Sequence, residues 1–150
     1  MDFYTLNFGG LTRQLPIISL GPKIKIASFN LLGDVELVES LAEELTTKLS
    51  GVEFDYLVGP EVKVVPLLQS LSQKLKKERY IVCRKQIHGY MIRPVTSPRR
   101  PGLVINGPDA DLLEGRTVVI LDDVVSTGET IESLKELIES VGAVVVKQVS

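Results

Sequence analysis

Apolar residues recur along this chain at two spacings. Val35, Val38, Leu41, Ala42, Leu45 and Leu49 repeat every three or four residues, which puts them on one face of a helix, and Asp34 stands before them as an N-cap. Leu67, Leu68, Leu71 and Leu75 predict a second helix with Pro66 in its first turn. Ile131, Leu134, Ile138 and Val141 predict a third over 129–141, ended by Gly142. Between these lie short apolar runs that read as buried strands: FDYLVG (54–59), RYIVC (79–83), RTVVIL (116–121) and AVVVKQV (143–149). Upstream, residues 14–29 alternate roughly, and Gly21–Pro22 marks a turn between two strands.

Strands alternating with amphipathic helices predict an α/β fold, with a mainly parallel sheet flanked by helices. A chain of 150 residues is expected to form a single domain, 1–150. Residues 84–115, rich in Pro, Gly and Arg, break the pattern. A loop of that length inside a compact domain is functional or disordered, and 86–108 is its expected flexible part.

Composition removes several classes of function. The chain is 44% hydrophobic and 24% charged, and its net charge of −2 offers no general field for nucleic acid. No apolar run is long enough to span a bilayer. The opening MDFYTLNFGG has no basic region ahead of an apolar core, so a cytoplasmic location is expected. The single cysteine, Cys83, allows no internal disulfide and suggests no thiolate metal cluster.

The chemistry concentrates in VVILDDVVSTGET, residues 118–130. Ligands of an open parallel sheet bind beyond the carboxyl ends of its strands, and Asp122 and Asp123 stand at such an end. Ser126, Thr127, Gly128 and Thr130 follow at a helix N-terminus, where backbone N–H groups, hydroxyls and the helix dipole favour a phosphate. The two carboxylates would repel that phosphate, so they suit sugar hydroxyls or a metal carried by the ligand. An ordinary polar turn with a capped helix uses the same residue types. A nucleotide P-loop is excluded by the missing lysine, and a dinucleotide fingerprint by the lone glycine.

Four apolar residues, Asp-Asp, two apolar residues and then Ser-Thr-Gly-x-Thr strongly resemble the phosphoribosyl diphosphate (PRPP) signature of type I phosphoribosyltransferases. The resemblance covers most of residues 20–149 and is closest to the adenine phosphoribosyltransferase branch and its related proteins. It implies that fold, with residues 1–33 forming a small N-terminal hood. It further implies that Asp122 and Asp123 bind the ribose hydroxyls and stabilise a cationic ribose, and that Ser126, Thr127, Gly128, Glu129 and Thr130 wrap the 5′-phosphate. Glu61-Val62-Lys63 stands where the family carries Glu-x-Arg against diphosphate, and Arg84 and Lys85 end the next strand beside it. Residues 86–108 occupy the place of a loop that closes over the reacting centre; they hold no acid, leaving His88 and Tyr90 as candidates for proton transfer. The aromatic-Arg-Asp that helps frame the purine is replaced by IKIAS, so the base-binding residues are unassigned. The implied activity transfers the phosphoribosyl group of PRPP to a base, a purine such as adenine, with Mg²⁺ carried by PRPP and a homodimer expected. The alternative is a regulator of the same fold that senses PRPP or a nucleotide without catalysis.

Overall fold

The computed structural model describes residues 1–99, 102–123 and 128–150. Its centre is a four-stranded parallel sheet built from β4 (Tyr56–Pro60), β5 (Tyr80–Cys83), β8 (Thr117–Leu121) and β9 (Val144–Val149), in the order β5-β4-β8-β9. Both faces are covered, and the strand residues divide accordingly. Leu57, Val119 and Leu121 face a core with Ala42, Leu45, Leu68 and Leu71 from α1 (Val35–Lys48) and α2 (Val65–Lys74). Val58, Val118 and Ile120 face a second core with Leu134, Leu137 and Ile138 from α4 (Glu129–Ser140). Period-two alternation with apolar residues on both faces is what continuous runs such as TVVIL signify.

The helices start where expected. The Asp34 carboxylate accepts the Leu37 N–H at 3.1 Å, capping α1. Pro66 lies in the first turn of α2, where a missing N–H costs nothing.

The N-terminus forms a separate antiparallel sheet of β1 (Phe3–Phe8), β2 (Leu11–Ser19) and β3 (Lys25–Ala27). β1 was not expected from the pattern. The hood is held to α1 by Arg13, whose guanidinium donates to Asp34 at 2.6 and 2.9 Å and to Glu36 at 3.0 Å.

Residues 84–115 correct the expectation of a long loop. They contain β6 (Val95–Thr96) paired antiparallel with β7 (Val104–Ile105), then α3 (Gly107–Leu113). Leu103 and Ile105 are buried in the second core, so the segment does own an apolar anchor despite its Pro- and Arg-rich composition. Among the described residues, no helix is long and apolar enough to cross a membrane.

Candidate functional site

β4 pairs with β5 on one side and β8 on the other, so the loops leaving β4 and β8 diverge at their carboxyl ends and open a crevice. A cavity of about 370 Å³ lies there. It is lined by Pro60, Glu61, Val62, Lys63 and Val64 after β4, by Lys85 after β5, by Asp122 and Asp123 after β8, by Thr130 in the first turn of α4, and by Gly102 and Leu103. The fold therefore gathers Glu61, Lys63, Lys85, Asp122, Asp123 and Thr130 in one place, from stretches as far apart as residues 61 and 130. Gly128 is the N-cap of α4 in a left-handed conformation. Ser126 and Thr127, also expected in the phosphate turn, lie outside the described residues.

Asp122 is only 6% exposed. One of its oxygens accepts the Asp123 N–H at 2.8 Å, and its own N–H donates to the Val149 carbonyl at 3.1 Å. Burial raises the Asp122 carboxyl to about 6, the neighbouring Asp123 carboxylate adds to the rise, and the Asp123 N–H and Lys85 oppose it. Asp123 is half-buried, and its Oδ2 is shielded from solvent with no hydrogen-bond partner among the described residues. Such an oxygen is costly without a ligand donor or cation to meet it.

Glu61 organises the cations. Its Oε2 accepts Arg84 Nε at 2.8 Å and its Oε1 accepts the Lys85 backbone N–H at 2.6 Å. Burial pushes the Glu61 carboxyl up, but these two donors outweigh it and the net shift is downward. Lys63 and Lys85 have exposed side chains that make no salt bridge among the described residues.

The structure does not bring every expected residue to the cavity. Arg84 is turned into a neighbouring groove of about 490 Å³, where Nη1 donates to the Tyr90 hydroxyl. Tyr90 stacks on His88 with ring centroids 5.5 Å apart. Neither His88 nor Tyr90 lines the carboxylate cavity, which removes the geometric basis for either as a proton donor there. Conversely, Gly102 and Leu103 line it and were not foreseen. They reach it through the β6–β7 pairing, for which the local sequence carries no signal.

A model of the Phosphoribosyl transferase domain matches residues 32–150, the whole of the parallel sheet and its helices. The chain belongs to this phosphoribosyltransferase family. Its relatives include an adenine phosphoribosyltransferase of Thermosipho africanus, 34% identical over 77% of this chain and 69% of that protein. An orotate phosphoribosyltransferase of Thermococcus gammatolerans is 33% identical over 73% of this chain, which spans about half (50%) of that relative. Among solved structures, the adenine phosphoribosyltransferase of Thermoanaerobacter pseudethanolicus matches with a TM-score of 0.74 at 28% identity, covering 89% of this chain and 80% of that one. The resemblance to the adenine branch is thus borne out, as is a type I phosphoribosyltransferase fold.

Proposed function

We propose that this phosphoribosyltransferase moves the phosphoribosyl group of PRPP to a nitrogenous base and releases diphosphate, with adenine the preferred acceptor. One observation carries the reading: paired carboxylates, two lysines that make no salt bridge among the described residues and a helix N-terminus converge on a single cavity at the carboxyl end of the sheet. The similarity to adenine phosphoribosyltransferases supports adenine.

In this reading the 5′-phosphate is held by residues 126–130, where backbone N–H groups and the dipole of α4 favour an anion. Asp122 and Asp123 take the ribose hydroxyls. Lys63 and Lys85 face the diphosphate as point charges. Glu61 serves the diphosphate indirectly, since its two oxygens are spent on holding Arg84 and Lys85. As the bond from C1 to the diphosphate oxygen breaks, positive charge builds on the ribose, and the Asp pair is placed to stabilise it while the lysines stabilise the leaving anion.

The residues fit Mg²⁺ brought in with PRPP. Asp122 and Asp123 lie side by side in the cavity, Asp123 Oδ2 has no hydrogen-bond partner among the described residues, and the third carboxylate there, Glu61, is taken up by Arg84 and Lys85. That is the donor set of a cation completed by substrate phosphates and water. When bound, the ion would supply charge neutralisation for the diphosphate.

We further infer a cytoplasmic homodimer. Ile87, Tyr90 and Ile92 are 58–67% exposed within six residues of one another, an apolar surface beside the Arg84 groove that suits a second copy. Sedimentation should show twice the 16.5 kDa chain mass.

The deciding assay incubates the protein with PRPP, Mg²⁺ and a panel of adenine, hypoxanthine, guanine and orotate, scoring diphosphate release. Adenine should give the highest kcat/KM. PRPP binding by calorimetry without release on any base would identify a sensor instead.

A further inference from the structure

The cavity wall formed by Gly102 and Leu103 belongs to the segment that carries β6 and β7, and this segment is fastened to α4 by a compact polar contact. Ser97 is 6% exposed and Ser133 is fully buried. Ser97 Oγ donates to the Ser133 carbonyl at 3.2 Å and accepts from Ser133 Oγ at 3.1 Å and from the Arg99 N–H at 3.3 Å. That uses a hydroxyl's one donor and two acceptor positions. Ser133 Oγ also lies 3.3 Å from the Arg99 carbonyl. Outside this buried pair, Arg99 Nε donates to Glu136 at 2.8 Å. The Ser97 N–H reaches the Leu103 carbonyl at 2.7 Å, connecting the contact directly to the cavity wall.

On the helix side the spacing is equally direct. Ser133 lies three residues from Thr130 on one side and from Glu136 on the other, so it neighbours each on the surface of α4, with Ser133 about 4.5 Å along the axis from Thr130. Thr130 lines the cavity. A buried hydroxyl pair is costly unless bonded. Directional bonds at this position set a register that hydrophobic packing does not.

We propose that Ser97 and Ser133, braced by Arg99 and Glu136, form a clasp that sets the distance between the Gly102–Leu103 wall and the first turn of α4, and so tunes the affinity for PRPP. These are positioning residues; none of them lines the cavity. The inference rests on the PRPP reading of that cavity.

The test uses the full chain and exploits the exposed outer pair, whose replacement leaves the core intact. Arg99→Glu and Glu136→Arg should each raise the Kd and KM for PRPP about three- to tenfold, with kcat within about twofold of the parent. The double variant Arg99→Glu/Glu136→Arg should return both constants to within about twofold. Ser97→Ala and Ser133→Ala should raise KM in the same manner, and hydrogen exchange at the backbone amide of position 97 should quicken in each. Folded single variants with unchanged PRPP affinity, or a charge swap that fails to restore it, overturn the clasp while leaving the function reading intact. Absence of PRPP binding by the parent protein overturns the function reading, and the clasp's role with it.

Discussion

Asp122 loses most of its hydration at the end of β8, beside a second carboxylate, and this makes it expensive to ionise. Its folded value of about 6 lies above the unfolded value of 3.8. Between those values the folded state binds more protons than the unfolded one, so its stability falls as pH rises through the window and stays lower above it. Asp122→Asn removes the charge and retains an acceptor for the Asp123 N–H. It should raise Tm at pH 8 by about 4–8 °C, corresponding to about 2 kcal/mol, and by almost nothing near pH 4. Equal gains at both pH values in calorimetry would assign the effect to packing instead. The same variant should lose most of its turnover, as expected where a site keeps a strained charge for function. Glu61→Gln supplies a second check at this scale. The charge that holds Arg84 Nε is lost, so stability should drop by about 1–2 kcal/mol in urea titrations and KM for PRPP should rise, because the single amide oxygen cannot hold both Arg84 Nε and the Lys85 N–H.

Among the elements, the stretch after β5 depends on close backbone approach. The Gly107 N–H donates to the Ile92 carbonyl at 2.9 Å. A Cβ at position 107 would collide with that carbonyl and come within 2.7 Å of the Arg93 carbonyl. Gly107→Ala must therefore push the 92–93 turn off the start of α3, at a cost of about 1–3 kcal/mol. Proteolysis should then cut first between residues 86 and 95, while circular dichroism of the main sheet and helices is retained. If cleavage sites and stability stay as in the parent, the turn has more freedom than the packing shows.

For the whole molecule, the hood and the parallel sheet are separate hydrogen-bonded units. Arg13 bridges them through Asp34 and Glu36, and the first of these is also the α1 cap. The Arg13–Asp34 pair is only about a quarter exposed, so it is screened less than a surface pair. Arg13→Ala should lower the urea midpoint only modestly. Hydrogen exchange should quicken in β1 and β2 and remain slow in β4 and β8, because the hood has few other polar ties to the body among the described residues. Uniform acceleration across all four strands would show that hood and sheet open together.

Much of this protein is legible without coordinates. Period-two and period-3.6 patterns in apolar residues located β4, β5, β8 and β9 and the three longer helices, because a doubly covered sheet demands continuous apolar runs and its helices demand one apolar face. The acidic strand end at Asp122 and Asp123, followed by a small hydroxyl turn, identified the family before any comparison. β1 was also readable in principle: Gly9–Gly10, both at positive φ, form the hairpin signal between Phe8 and Leu11. Other features were decided only in three dimensions. Whether Arg84 points into the cavity or away from it depends on Glu61, which comes from another segment, and on Tyr90, six residues on in its own. The β6–β7 pairing has two residues per strand, too few for any periodicity, and exists because α4 offers a surface for Leu103 and Ile105. Local pattern reports how a residue meets its own element; which partner lies across the gap is set by tertiary packing between residues distant in the chain.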